Sequence, residues 1–241
     1  MNQTATLRIL EYSHQTRQAM KDLGKAFSFM FKDPSWVSKT AIAAMFMLLS
    51  LVLVGFFILI GYFLQITQRV MRKQEPALPE WEDIGVKFVM GVKFCIVYLI
   101  YLIPVIIFMV PLLVLMGASG FADQGDVVGI AFGIYLFALT LLIVPYSLVL
   151  SIATPIIVYR FAERERIGDA IDVVRVVSLF RANWQNSLIV ALIALGLQSF
   201  GGIGVVVFLI GFFFTMFYAY AVSSYMSGLL YLERTREGVT Q

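Results

Sequence analysis

The sequence is short of charge. Only 14% of its 241 residues are Asp, Glu, Lys or Arg, whereas 60% are hydrophobic, and the mean hydropathy is +0.88. A soluble domain carries about 25% charged residues, and a chain this apolar cannot cover its surface with polar groups. The composition therefore predicts an integral membrane protein whose first partner is the lipid bilayer.

Residues that carry chemistry are also scarce. The chain has one cysteine, Cys95, and one histidine, His14. A lone cysteine forms no internal disulfide, and a lone imidazole builds neither a catalytic triad nor a zinc site. The glycines at 201–204 lack the lysine and hydroxyl residue of a phosphate-binding loop. We predict no catalytic residue, no metal, no cofactor and no enzymatic activity.

Charge is absent from the middle of every long apolar run. Ionisable residues at membrane depth commonly mark proton relays and ion pathways, so their absence argues against an ion-driven pump. Lys39 and Lys93 lie near the ends of runs, where we expect their ammonium groups to snorkel to the headgroups. The net charge of +3 is too small to indicate nucleic-acid binding.

Four apolar runs predict an all-α, polytopic membrane protein. The first covers 40–66, the second ends near Met116, and the third covers 128–159. The last, 187–232, is too long for one span, so we predict a hairpin that turns at Gly201–Gly204.

Prolines and tyrosines punctuate the runs. Four prolines lie in the central pair: Pro104, Pro111, Pro145 and Pro155. They are predicted to break these helices, and broken helices build binding sites in transporters. Six tyrosines are open to two interpretations, a polar path or packing and interface anchoring: Tyr98, Tyr101, Tyr135, Tyr146, Tyr218 and Tyr220.

Two amphipathic helices are predicted at the membrane interface. The first is residues 1–35, and its alternative is a soluble helix packed on the protein; the second is residues 160–183. Its apolar stripe is Ile167, Ile171, Val174 and Val177. We expect one membrane domain at 36–232 and a short tail at 233–241.

An internal repeat is predicted between 36–66 and 184–215. Each copy begins with a tryptophan and continues through glycines to a Leu-Ile-Gly triplet.

Charge placement predicts the topology. All 18 Lys and Arg lie in 1–39, 65–93, 160–181 and the tail, so these segments are expected in the cytoplasm. Asp123 and Asp126 lie in the loop 117–127, which has no basic residue and is expected to face outward.

The N-terminus decides the number of spans. If residues 40–66 turn back near Ser50–Gly55, every basic segment shares one side, and there are six membrane helices, two of them short. The alternative is a single crossing and five spans.

The segment 76–83 is predicted to form an ordered cap. Pro76 and Pro79 restrict its backbone, and Trp81 offers an apolar plate. The alternative is a polar linker.

The order of these motifs resembles a known family. Pro34-x-Trp36, a run ending in Gly61-Tyr62, a basic stretch, and then Leu78-Pro79-Glu80-Trp81-x-Asp83 are similar to the prokaryotic membrane-protein family called domain of unknown function 4013. The resemblance covers about residues 27–232. It implies a cytoplasmic-membrane protein and brings no activity with it.

Two function classes remain open. The first is a non-enzymatic accessory or membrane-shaping component, which associates with other membrane subunits or with itself. The second is a transporter or channel for a small or lipid-like substrate.

Overall fold

The computed structural model describes residues 24–118, 126–203 and 209–239, and every regular element in these ranges is helical. The elements are α1 (Trp36–Leu49), α2 (Val54–Met71), α3 (Ile84–Ala118), α4 (Asp126–Arg164), α5 (Ile167–Ile171), α6 (Val173–Ile203) and α7 (Leu209–Val239), with 3-10 turns at Met30–Lys32 and Ser50–Val52. The all-α prediction is confirmed. Residues 1–23, with most of the predicted N-terminal helix and His14, lie outside the described ranges.

Three helices of the described chain are long and apolar enough to cross a membrane: Val54–Met71, Ile84–Leu112 and Phe132–Arg164. A fourth is added if α6, which bends by 93° between Val173–Ala182 and Trp184–Ser199, counts as one span. The protein is therefore a polytopic helical membrane protein.

Residues 40–66 form a hairpin rather than one crossing helix. Helix α1 has 14 residues, which extend about 21 Å, less than the ~30 Å of hydrocarbon. The chain then turns through Ser50–Val52, and Leu53 adopts a left-handed φ of 64°. Gly55 lets α2 start against α1, since a Cβ there would lie 2.0 Å from the Phe46 carbonyl oxygen. The predicted turn near Ser50–Gly55 is confirmed.

Helix α2 forms the centre of the molecule and packs against α3 and α7. Two glycines allow the close crossing with α3. A Cβ at Gly61 would lie 1.9 Å from the carbonyl oxygen of Lys87, and one at Gly91 would lie 1.8 Å from that of Phe57. On the other side, Thr67 donates a hydrogen bond of 2.9 Å to the Ser224 carbonyl of α7.

The central prolines do not break their helices, so that prediction is wrong. Pro104 and Pro111 lie inside α3, and the other two lie inside α4. A proline frees carbonyls in the preceding turn, and a neighbouring helix can satisfy such groups in a membrane. Here Tyr146 donates to the Tyr101 carbonyl, and Tyr135 donates to the Phe108 carbonyl at 2.7 Å. Each acceptor lies three residues before a proline of α3, next to the carbonyl four residues before it that lacks its helical donor because proline has no N–H.

Residues 160–183 are not one helix, which corrects the second amphipathic helix. Helix α4 continues to Arg164, and the chain breaks at Glu165, whose φ is 55°, and again at Asp172. The predicted stripe is divided as well, because Ile167 and Ile171 lie in α5, whereas Val174 and Val177 lie in α6. In the first part of α6, the side chains that face the core are Val176 and Leu179.

Helices α6 and α7 pack against each other as the predicted final hairpin. The turn differs from the prediction, because Gly201 and Gly202 are helical and belong to the end of α6. The connection falls on 204–208, outside the described residues. Glycine costs only about 1 kcal/mol in a helix, and apolar surroundings favour keeping backbone bonds intact.

The internal repeat stays a prediction. Both α1–α2 and α6–α7 are hairpins, but Gly55 follows the turn of the first, whereas Gly201 and Gly202 precede that of the second.

Candidate functional site at the basic end

Charged side chains gather where α2, α4 and α7 finish and where α1, α3 and α6 begin; we call this the basic end. Gln68 at the end of α2 donates to the Ala162 carbonyl of α4 (2.9 Å) and to Oε1 of Glu165 (2.8 Å). Tyr231 of α7 donates to Oε1 of Glu163 at 3.4 Å. These bonds bring the helix ends together.

Lys39, at the start of α1, is the centre of an ion triad with Asp33 and Glu80. Its Nζ lies 2.7 Å from Oδ2 of Asp33 and 2.6 Å from Oε1 of Glu80. The side chains of Lys39 and Asp33 are each only 2% exposed, whereas Glu80 is exposed. The predicted snorkelling of Lys39 is therefore wrong, because two carboxylates compensate the ammonium group inside the protein.

Asp33 receives several hydrogen bonds besides that from Lys39. The Ser35 backbone N–H and hydroxyl donate to its Oδ1 at 2.8 and 2.7 Å. Burial raises the pKa of Asp33, but hydrogen bonds from Lys39 and Ser35 and the Lys39 charge outweigh burial, so the pKa lies below its ordinary value of 3.8. Ser35 occupies the N-cap position of α1, but its hydroxyl donates to Asp33 and accepts no hydrogen bond from a backbone N–H of the helix.

The segment 76–83 is an ordered cap on this triad, as predicted. Nζ of Lys39 donates to the Leu78 carbonyl at 3.3 Å. Arg69 of α2 donates to the same carbonyl at 3.0 Å and to that of Pro76 at 2.9 Å. Leu78 is fully buried, so the backbone of the cap is fixed from both α1 and α2.

Trp81 fastens the cap to the helices. Its Nε1 donates to the Lys39 carbonyl at 3.0 Å. The indole stacks on Tyr62 of α2, with ring centroids 4.2 Å apart, and on Phe46 of α1 at 5.0 Å. The predicted apolar plate therefore packs on the α1–α2 hairpin itself.

A second charged cluster lies at the ends of α4 and α7. A cavity of about 80 Å³ is lined by Arg160, Glu163, Arg164, Asp169, Arg175 and Arg234; we call it the arginine cleft. Arg160 is buried, and its Nε donates to the Asp169 carbonyl at 3.0 Å, with Nη2 bound to the same oxygen. This guanidinium holds α5 against α4.

Four tyrosines of the spans donate hydrogen bonds to backbone carbonyls. Tyr101 donates to the Ala170 carbonyl at 2.8 Å, and Tyr218 donates to the Phe27 carbonyl at 2.8 Å. Tyr135 and Tyr146 bond carbonyls of α3, as described above. These four hydroxyls join helices, which favours packing over the polar path.

The basic end offers positive charge and hydrogen-bond donors. Over the described ranges, no cluster of His, Cys, Asp and Glu side chains fits a metal ion.

Sequence reasoning missed the ion triad. A signal was available: Asp33 precedes Lys39 by six residues, across the Pro34 turn, and Glu80 belongs to the most specific part of the resemblance. It could not be read as a triad because Glu80 comes close to Lys39 only after the α1–α2 hairpin forms.

Comparison with known proteins gives one result. Neither the curated proteins nor the solved structures contain a match to the chain. The family model described as "Protein of unknown function (DUF4013)" matches residues 44–216, more than half of the chain. This match begins within α1, includes the cap and ends within α7. The chain therefore belongs to the DUF4013 family, as the order of its motifs predicted.

Proposed function

We propose that this protein is a non-enzymatic component of a membrane complex, which packs through its apolar helix surfaces against other membrane subunits or a second copy. The main supporting observation is that charged and apolar side chains have separate roles in the chain. The charged groups of the ion triad and cap hold helices together, whereas α3 and α4 present large apolar side chains outward.

The exposed face of α4 is the best candidate for such packing. Five of its large exposed residues recur at alternating steps of three and four and so share one helix face: Ile134, Phe137, Leu141, Val144 and Leu148. In lipid, helices associate through close packing rather than through the hydrophobic effect. A partner helix would pack against this row with its own side chains between those of α4.

The orientation belongs to the same proposal. The basic end carries the segments 69–73 and 160–175, and positive residues near spans remain in the cytoplasm. We place this end and the C-terminus in the cytoplasm of a prokaryotic cell, and residues 119–125 outside.

A second candidate is transport of a lipid-like substrate, and one observation favours it. A cavity of about 300 Å³ separates α3 from α4 at the depth of the spans and is almost wholly apolar; its lining is Pro104, Val105, Phe108, Leu142, Ile143 and Tyr146. An apolar chain would fit such a lining.

Purification of the tagged chain from native membranes in mild detergent tests the proposal. We expect a stoichiometric membrane partner that is lost in Phe137→Ala/Leu141→Ala and kept in Ile189→Ala/Leu192→Ala, a matched pair of exposed residues on α6. Recovery of the chain alone with a lipid-like molecule in the α3–α4 cavity would favour the second candidate. Equal loss of the partner in both variants would contradict the use of the α4 face.

A further inference from the structure

The arginine cleft has more positive charge than its role in the fold requires. Four guanidinium groups face two carboxylates, which leaves a formal charge of +2 around one small cavity. Arg160 is committed to the Asp169 carbonyl. Arg164 is 58% exposed, and its Nη1 reaches Oδ2 of Asp169 only at 3.7 Å, beyond hydrogen-bond distance.

The size of the cleft limits what it can hold. Its volume of about 80 Å³ corresponds to about three water molecules at ~30 Å³ each. One tetrahedral oxyanion fits this space. Guanidinium groups are the side chains best suited to such an anion, because their N–H groups match its oxygens in pairs.

Asp169 adds a second requirement. Its Oδ2 is buried and receives no hydrogen bond from the described residues. A buried carboxylate oxygen without a donor is costly, so a ligand that carries a hydroxyl beside its anionic group would satisfy both features. Hydrogen phosphate and a glycerol-bearing phospholipid headgroup have this combination.

The position of the cleft agrees with such a ligand. It lies where the candidate span Phe132–Arg164 ends, which is the level of the headgroups for a helix that crosses the bilayer. Basic pockets between helices at this level bind anionic lipid headgroups.

We propose that the arginine cleft binds a hydroxyl-bearing phosphate group, supplied by an anionic lipid headgroup or by free phosphate. Arg164, Arg175 and Arg234 contact the oxyanion, Asp169 accepts the hydroxyl, and Arg160 fixes the geometry of the cleft. This site does not depend on the accessory role proposed above.

Titration of the full-length chain, purified in detergent and relipidated with phosphatidylcholine, tests the site. The probes are phosphatidylglycerol and inorganic phosphate, and the readouts are the shift in melting temperature and the lipid retained in native mass spectrometry. The test variant is Arg164→Gln/Arg175→Gln. The control is Arg72→Gln/Arg166→Gln, which removes two exposed arginines of the same end outside the cleft. The single variant Arg175→Gln serves if the double variant does not fold.

We expect saturable phosphatidylglycerol binding that weakens about tenfold or more in the test variant and stays unchanged in the control. Displacement of the lipid by inorganic phosphate would assign the site to free phosphate; retention of the lipid would assign it to the headgroup. Equal binding of phosphatidylcholine, or equal weakening in test and control variants, would overturn the site in favour of diffuse surface charge.

Discussion

The two ends of α3 differ in how they are held. At the basic end, α3 crosses α2 at the glycine contacts and meets the cap, whereas its distal half and that of α4 touch each other mainly at tyrosine–carbonyl bonds. In their most apolar windows, 50% of α2 is buried inside the protein, against 11% of α3 and 17% of α4.

This difference shows two ways in which apolar sequence is used. Around α2, close packing and buried polar groups specify one arrangement of the helices, so a single added atom lowers stability. Along distal α3 and α4, the side chains face the surroundings, and the fold of the single chain requires only that they be apolar. Mutations around α2 should therefore lower the stability of the protein much more than mutations in distal α3 and α4.

The largest expected effect is at the ion triad. Lys39→Met leaves Asp33 buried without its cation, and removal of one partner of a buried pair costs about 3–5 kcal/mol. Thermal unfolding in detergent measures the loss. Lys32→Met, which removes an exposed lysine of the same end, should leave the transition nearly unchanged. Similar curves for both variants would show that the triad contributes little.

The glycines give the most direct contrast between the regions. Gly91→Ala places a Cβ against the Phe57 carbonyl and should destabilise by about 1–3 kcal/mol, the cost of overpacking. Gly133→Ala, in distal α4, meets no atom within 4 Å and should stabilise the helix by about 0.5–1 kcal/mol. The melting temperature should fall for Gly91→Ala and rise for Gly133→Ala. Changes of the same sign would contradict the difference between the two regions.

Acid should weaken the cap before the exposed helices. The pKa of Asp33 in the folded state lies below 3.8. Its ionised form therefore contributes fully to stability above the pKa of the unfolded chain, and this contribution is lost as the pH falls through the pKa of the folded state. Melting temperatures measured from about pH 5 down to about pH 2 should decrease more steeply for the native chain than for Asp33→Asn. Parallel curves would assign the acid sensitivity to other groups.

The smallest effect is expected on the exposed face of α4. Phe137 is 71% exposed, so Phe137→Ala should change the unfolding free energy of the isolated chain by less than about 0.5 kcal/mol. A large loss of stability in detergent would mean that this face is already covered within the chain.

The sequence predicted the helical class from the apolar runs and the ordered cap from its prolines and Trp81, which act locally. It favoured the α1–α2 hairpin, one of two alternatives, because that places every basic segment on one side. It did not predict the Lys39 triad, since Asp33 and Glu80 are brought together by a tertiary contact. Local rules also misjudged Pro104 and Pro111, because the tyrosine bonds that join α3 to α4 beside these prolines are tertiary contacts. The arginine cleft could not be predicted either, because its arginines come from three helices that meet only in the folded protein.

The central claim is that the α1–α2 hairpin returns the chain to its starting side, so that the basic segments share one face of the membrane. Cysteines introduced singly at Lys32, Arg72, Arg166 and Asp123 in a Cys95→Ser background, labelled with a membrane-impermeant thiol reagent in intact and permeabilised cells, test it directly. We predict that positions 32, 72 and 166 react only after permeabilisation and that position 123 reacts in intact cells. Labelling of positions 32 and 72 from opposite sides would contradict the account.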